Sequence, residues 1–103
     1  MTILNHNDRI AKLELFYDHN KELFASFENV YLFGSLLYND YSNDVDMLLV
    51  YEKYKPELLY EVERIADEIE NVLDLPVDLT VLSLEELYDT EFLSKIKEYR
   101  IIK

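Results

Sequence analysis

Residues 44–51, DVDMLLVY, constrain the fold of this chain more than any other part of the sequence. The segment is apolar almost throughout after Asp46 and is rich in residues that favour β-strands. A short, continuous apolar run of this kind predicts a central strand, because both of its faces have to be buried. The two aspartates at its start do not follow from this requirement and need another explanation.

Three neighbouring segments predict the elements that bury this strand. Residues 30–33 are large strand-forming residues, and they end at Gly34, the only glycine of the chain. An amphipathic helix is predicted from Pro56, and its apolar face is formed by Leu58, Leu59, Val62, Ile65, Ala66, Ile69, Val72 and Leu73. Pro76 prevents its continuation, and residues 77–82, VDLTVL, predict a third strand.

The two ends of the chain predict further helices. Apolar residues at helical spacing indicate a first helix that starts at Asp8, its cap, and runs to about Phe27 with fraying at Asn20. Towards the other end, Ser83 lies three residues before Glu86, which is the pattern of a capping box. We therefore expect a short helix to follow Ser83.

The last segments complete an α+β pattern. A helix is predicted over residues 90–98, and residues 99–103, YRIIK, fit an edge strand. The element order predicts a small mixed β-sheet with helices packed on one face. We expect residues 1–103 to form a single domain, because a chain of 103 residues supports one core and has no room for a separate substrate-binding domain.

Composition limits the partners of such a domain. The chain has 22 acidic and 10 basic residues and a net charge of -12, which disfavours tight binding of nucleic acid. It has no cysteine, so disulfides and thiolate metal sites are excluded. The sequence contains neither the apolar core of a signal peptide nor an apolar run of roughly 20 residues, so we expect a soluble, cytoplasmic protein.

Asp44, Asp46 and Asp78 are the candidate metal ligands. Side chains alternate along a strand, so Asp44 and Asp46 point to the same face, roughly 6 to 7 Å apart. Asp78 faces away from the apolar side of the third strand and can join them. Three such carboxylates repel one another unless a cation neutralises them, and their oxygen ligands favour Mg²⁺. The other interpretation is a solvated strand end without a metal.

Gly34 and Ser35 form the candidate phosphate-binding turn. A strand that ends in glycine and opens a short helix presents backbone N–H groups to an anion, and the Ser35 hydroxyl adds a donor. A triphosphate between this turn and the metal would meet positive charge on both sides.

These residues resemble the nucleotidyltransferase superfamily that includes the palm domain of DNA polymerase β, and within it the minimal nucleotidyltransferases (MNT) of prokaryotes. The family pattern is a strand ending in Gly-Ser, a loop, Asp-x-Asp on the next strand and a third Asp on a later strand. Gly34, Ser35, Asp44, Asp46 and Asp78 match this pattern, and the resemblance covers nearly the whole chain.

The resemblance implies a Mg²⁺-dependent transferase that moves a nucleoside monophosphate, with ATP as the preferred donor, to a hydroxyl acceptor on a protein. Asp44 and Asp46 would hold Mg²⁺, Asp78 would be the third ligand and the general base, and Gly34 and Ser35 would bind the triphosphate.

The resemblance also implies a partner. Minimal nucleotidyltransferases often pair with a small helical protein of the HEPN type. In toxin–antitoxin pairs the transferase is the antitoxin, and in some systems it attaches AMP to a tyrosine of the toxin. A homo-oligomer is also compatible with the resemblance.

One departure from the family pattern keeps two alternatives open. Family members commonly follow Gly-Ser with a small or basic residue and an Arg-Gly, and they have a longer stretch before the first Asp. Here residues 36–43, LLYNDYSN, form a shorter stretch that contains no Lys or Arg. The leaving pyrophosphate would then depend on Arg9, Lys53, Lys55 or a partner protein. The first alternative is a module of the same fold that neutralises a partner by binding alone. The second is a small-molecule transferase that obtains its substrate domain from a partner or a second copy.

Three apolar residues predict a cover for the aspartate-bearing face. Leu48, Val50 and Leu82 lie on the same side of the sheet as the aspartates, farther along their strands. Either the C-terminal segment or another chain should cover them.

Overall fold

The computed structural model describes residues 5–103 and contains a four-stranded mixed sheet. Its strands are β1 (Asn29–Phe33), β2 (Val45–Tyr51), β3 (Val77–Ser83) and β4 (Tyr99–Ile101), in the order β3-β2-β1-β4. β1 is antiparallel to both β2 and β4, and β2 is parallel to β3. The predicted α+β class is confirmed, and β2 is a central strand.

In the described part of the chain, four helices accompany the sheet: α1 (His6–His19), α2 (Glu57–Leu73), α3 (Leu84–Thr90) and α4 (Phe92–Ile96). Short 3₁₀ turns occupy Lys21–Phe24 and Ser35–Leu37. α2 connects β2 to β3, and because these strands are parallel it has to cross over the sheet. Within residues 5–103, none of the helices combines the length and the apolar character that crossing a membrane requires.

The main core lies between the sheet and the two long helices, α1 and α2. The predicted apolar face of α2 is confirmed for Leu58, Ile65, Ile69 and Leu73, which are buried. The prediction that Leu59 belongs to this face was wrong, because Leu59 points to solvent. The buried core residues from the other elements are Ile10, Leu13, Phe24, Phe27, Val30, Leu32, Leu36, Val45, Met47 and Leu49. The odd-numbered residues of β2 therefore face the helices, and Asp46 faces the other way.

The second face of the sheet is covered in part by α3 and α4. Leu48 and Val50 are fully buried there, packed against residues of the C-terminal helices such as Leu87 and Phe92. The C-terminal segment of the same chain thus supplies the cover that the sequence required. The two long helices share one face, as predicted, and the two short ones add a layer on the other.

The first helix begins earlier than predicted. It starts at His6, and its cap is Asn5, whose side-chain oxygen accepts a hydrogen bond of 2.8 Å from the backbone N–H of Asp8. The prediction that Asp8 is the cap was wrong, because the capping oxygen comes from a residue three positions earlier.

The same helix also ends before Phe27. Asn20 follows its last residue, and the Asn20 side-chain amide donates to the carbonyl of Phe16 at 2.9 Å. This bond occupies one of the orphan carbonyls at the helix end. The chain then turns through Lys21–Phe24, which buries Phe24 completely. The predicted fraying at Asn20 is in fact a defined break.

The C-terminal helices differ from the prediction in their boundaries. The capping box is confirmed, since Ser83 Oγ accepts from the Glu86 N–H and Glu86 Oε1 accepts from the Ser83 N–H, both at 3.0 Å. The helix predicted over residues 90–98 is shorter: Thr90 belongs to α3, and Glu91 adopts a left-handed conformation with φ 53°. Lys97, with φ 65°, follows the last residue of α4. β4 pairs with β1 at the sheet edge, as predicted.

Two adjacent leucines in α2 test the assignment of its buried face. Leu58 is 2% exposed and Leu59 is 66% exposed. We expect Leu58→Ala to lower the free energy of unfolding by about 2 to 5 kcal/mol, because it leaves a cavity in the core. We expect Leu59→Ala to change it by less than about 0.5 kcal/mol. Urea unfolding followed by circular dichroism measures both, and equal losses would contradict the assignment.

Candidate active site

The parallel pairing of β2 and β3 brings the three predicted carboxylates together. Asp46 pairs in register with Asp78, and Asp44 precedes the first residue of β2. One carboxylate oxygen from each of the three lies within 4.8 Å of the other two. Asp44 and Asp46 are partly buried, whereas Asp78 is exposed. The cluster is therefore open to a ligand from the side of Asp78.

The electrostatics of this cluster favour a divalent cation. Burial raises the pKa of the Asp46 carboxyl above its ordinary value, and the charges of Asp44 and Asp78 raise it further. When ionised, the three carboxylates therefore repel one another, and a bound cation would relieve this repulsion. Its ligands are all carboxylate oxygens, the type that hard cations such as Mg²⁺ prefer, so the three residues fit a divalent metal.

Gly34 brings the backbone against this cluster. It follows β1 with φ 81° and ψ -165°, a conformation that residues with a Cβ rarely adopt. A Cβ added at this position would collide with Asp46 Oδ2 and would lie 3.2 Å from both Cβ and Cγ of Asp46. Glycine is therefore required here by conformation and by space.

The hydroxyl of Ser35 is engaged within the chain. Ser35 Oγ lies 2.7 Å from Ser42 Oγ, and Ser42 Oγ donates to the carbonyl of Asp44 at 2.9 Å. A carbonyl can only accept, so the single Ser42 proton is used there and Ser35 is the donor to Ser42. In this conformation the Ser35 proton points to Ser42, whereas the sequence predicted that it would serve the triphosphate.

The loop between the glycine turn and β2 is held by α1. Asp40 Oδ1 accepts from the His6 backbone N–H at 2.8 Å and lies 2.6 Å from His6 Nδ1. These two hydrogen bonds are the main reason why the pKa of Asp40 is lowered. Arg9 Nη1 donates to the carbonyl of Ser42 at 3.0 Å. α1 therefore fixes the loop at two points.

The three basic residues proposed as phosphate contacts occupy different places. Arg9 lies against the loop. Lys53 and Lys55 follow the far end of β2, which is roughly 20 Å from Asp44 at the usual rise per residue of a strand. Lys55 pairs with Glu61 at 3.4 Å. Of the three, only Arg9 is at the same end of the sheet as the carboxylates.

Sequence reasoning missed Ser42. It is one of several polar residues in residues 38–43, and nothing in its local sequence distinguishes it from a solvent-facing loop serine. Only the folded chain shows that it is 4% exposed and bonded to the backbone of Asp44.

Solved structures with this fold include nucleotidyltransferases and toxin–antitoxin complexes. A candidate nucleotidyltransferase from Sulfolobus solfataricus matches with a TM-score of 0.52 and 25% identity, over 92% of this chain and 82% of that chain. The complex of a tri-AMPylated HEPN toxin with its MNT antitoxin from Shewanella oneidensis gives a TM-score of 0.59 and 15% identity, over 92% and 71%. A mutant of the MntA–HpeT toxin–antitoxin complex gives 0.57 and 18%, over 97% and 73%.

The sequence comparison agrees with the fold. No curated protein sequence matches the chain. The family model described as a nucleotidyltransferase domain matches residues 13–103, which contain the glycine turn and all three aspartates. The chain therefore belongs to the nucleotidyltransferase domain family.

Proposed function

We propose that the chain, as one nucleotidyltransferase domain over residues 1–103, transfers AMP from ATP to a hydroxyl group of a partner protein and requires Mg²⁺. The observation that carries this proposal is the approach of three carboxylates, with one oxygen of each within 4.8 Å of the other two, beside a glycine at which any Cβ would collide with Asp46. Membership of the nucleotidyltransferase family supports it.

Each carboxylate has a proposed role. Asp44 and Asp46 would hold Mg²⁺, and Asp78 would be the third ligand. Mg²⁺ bound there supplies Lewis-acid chemistry, polarising the α-phosphate and neutralising the triphosphate. Asp78 is the exposed member of the three, so an acceptor hydroxyl can approach it. We assign to it the general base that takes the proton of the attacking hydroxyl.

Gly34 and Ser35 would bind the triphosphate through their backbone. The first N–H groups of a helical turn have no partner inside the turn, so they can donate to an anion. Gly34 allows this backbone to lie beside the carboxylates, since a side chain would collide with Asp46. The phosphate oxygens would thus be held next to the metal ligands.

A HEPN-type helical protein is the proposed partner, with this chain as the antitoxin. Exposed apolar side chains on the aspartate-bearing side support a protein contact: Tyr88 is 80% exposed and Ile101 is 64% exposed. A cavity of about 460 Å³ lies beside Tyr88 and is also lined by Tyr31 and Leu93. Contiguous exposed apolar surface is typical of interaction sites.

One observation favours a second function, in which the chain neutralises its partner by binding alone. Residues 36–43 contain no Lys or Arg, and the Arg9 guanidinium donates to the Ser42 carbonyl. Pyrophosphate departure would then lack a cationic side chain from this loop. An assay of AMP transfer separates this function from catalysis.

Transfer of label from [α-³²P]ATP tests the catalytic proposal. We expect the wild-type protein, incubated with Mg²⁺ and the product of the adjacent gene, to label that product. Asp46→Asn should reduce the rate by about 100-fold or more, because it removes a metal-binding charge. Asp67→Asn, an exposed carboxylate on α2, is the matched control and should label normally. Absence of label with the wild type would favour the binding module.

Thermal unfolding tests metal binding without any turnover. We expect Mg²⁺ or Mn²⁺ to raise the unfolding midpoint of the wild-type protein, because ligands of the folded state stabilise it. Asp46→Asn should raise the midpoint of the metal-free protein by a few degrees, since it removes repulsion, and should abolish the response to metal. If Asp46→Asn still responded to metal as the wild type does, the assignment of Asp46 would be wrong.

The raised pKa of Asp46 also predicts a pH dependence. A carboxyl whose pKa is higher in the folded state stabilises that state at low pH and loses this contribution as the pH rises through the raised pKa. The stability advantage of Asp46→Asn over the metal-free wild type should therefore shrink as the pH falls from 7 to about 4. Unfolding midpoints of both proteins across this range measure it, and a constant difference would contradict the assigned cause.

A further inference from the structure

Ser42 uses every hydrogen-bonding group that it has. Its N–H donates to the Asn39 carbonyl at 3.2 Å, and its carbonyl accepts from Arg9 Nη1 at 3.0 Å. Its hydroxyl donates to the Asp44 carbonyl at 2.9 Å and accepts from Ser35 Oγ at 2.7 Å. The residue is 4% exposed, so water cannot readily take the place of a lost partner, and losing one would leave a buried polar group unpaired.

The first consequence concerns the peptide group between Asp44 and Val45. Its carbonyl accepts from Ser42 Oγ, and its N–H donates to the Pro76 carbonyl at 2.9 Å. Asp44 precedes the first residue of β2, so these two bonds hold its backbone where the strand ladder begins. Pro76 is two residues before Asp78, so the same peptide group ties two of the carboxylate-bearing segments together.

The second consequence concerns the glycine turn. Ser35 is the residue after Gly34, and its hydroxyl donates to Ser42. The segment proposed to bind the phosphate is therefore connected through the Ser42 side chain to the segment that carries Asp44. Arg9, from α1, donates to the carbonyl of Ser42 and so holds the backbone of that residue in place.

We propose that Ser42 is a positioning residue that holds the metal-binding and phosphate-binding halves of the site in one arrangement. This inference rests on the proposed function. Ser42 would contact neither the metal nor the triphosphate. It would act through the Asp44 peptide group and through Ser35. Hydrogen bonds behind metal ligands commonly change metal affinity or activity by 10- to 100-fold when they are removed.

Mn²⁺ binding to the purified full chain tests the proposal, with calorimetry as the measurement. Ser42→Ala removes the hydroxyl, and Ser42→Cys keeps its shape but replaces it with a weak donor. We expect both variants to bind Mn²⁺ about 10- to 100-fold more weakly than the wild type under conditions in which all are folded. In the label-transfer assay their kcat should fall by a similar factor at saturating ATP.

Ser83→Ala is the matched control. It also deletes one serine hydroxyl, the one that caps α3 at the opposite end of β3 from Asp78. We expect it to lower the unfolding midpoint and to leave the Mn²⁺ affinity unchanged. If Ser42 had a purely structural role, its substitution would behave like Ser83→Ala. Such a substitution changes the fraction of folded protein but not the Mn²⁺ affinity of the protein that is folded.

The outcomes separate this inference from the proposed function. Wild-type Mn²⁺ affinity in folded Ser42→Ala and Ser42→Cys would overturn the positioning role alone. A wild-type protein that bound Mn²⁺ but transferred no AMP would overturn catalysis, while the Mn²⁺ affinities would still decide the role of Ser42. A wild-type protein that bound neither Mn²⁺ nor ATP would overturn both.

Discussion

The parallel pairing of β2 with β3 places Asp46 directly beside Asp78, and the candidate site depends on this register. The α2 crossover, whose apolar face is buried in the core, holds the two strands side by side. A slip of one residue would turn Asp78 to the face covered by α1 and α2, and Val77 or Leu79 to the aspartate-bearing face. Burial of the apolar residues on β3 and α2 therefore fixes the position of a carboxylate that is itself exposed.

Grouping three acidic residues is unfavourable for the metal-free chain. Asp46 is partly buried beside two other carboxylates, and its raised pKa reflects both effects. Gly34 adds a backbone conformation that only glycine adopts readily. Features that lower the stability of the folded chain, such as these, are typical of functional sites. Their concentration on one end of the sheet, within a nucleotidyltransferase domain, supports a chemical role for this end.

The period-two alternation of β2 and β3 was sufficient to predict that Asp44, Asp46 and Asp78 share a face. The apolar stripe of α2 was sufficient to predict its buried side except at Leu59, which is exposed at the edge of that stripe. The left-handed conformation of Glu91 was not predictable, because no glycine or asparagine marks that break. The role of Ser42 was equally hidden. It depends on Arg9, which is 33 residues away in sequence, and on the burial of a loop by tertiary contacts.

A crystal structure of the chain with Mn²⁺ and a non-hydrolysable ATP analogue would show whether the three carboxylates hold a metal beside the nucleotide. We expect an anomalous Mn²⁺ peak between Asp44, Asp46 and Asp78, with metal–oxygen distances of about 2.1 Å and the triphosphate beside Gly34. Asp78 turned away from the other two carboxylates, with no ion bound among them at saturating Mn²⁺ and nucleotide, would contradict this expectation.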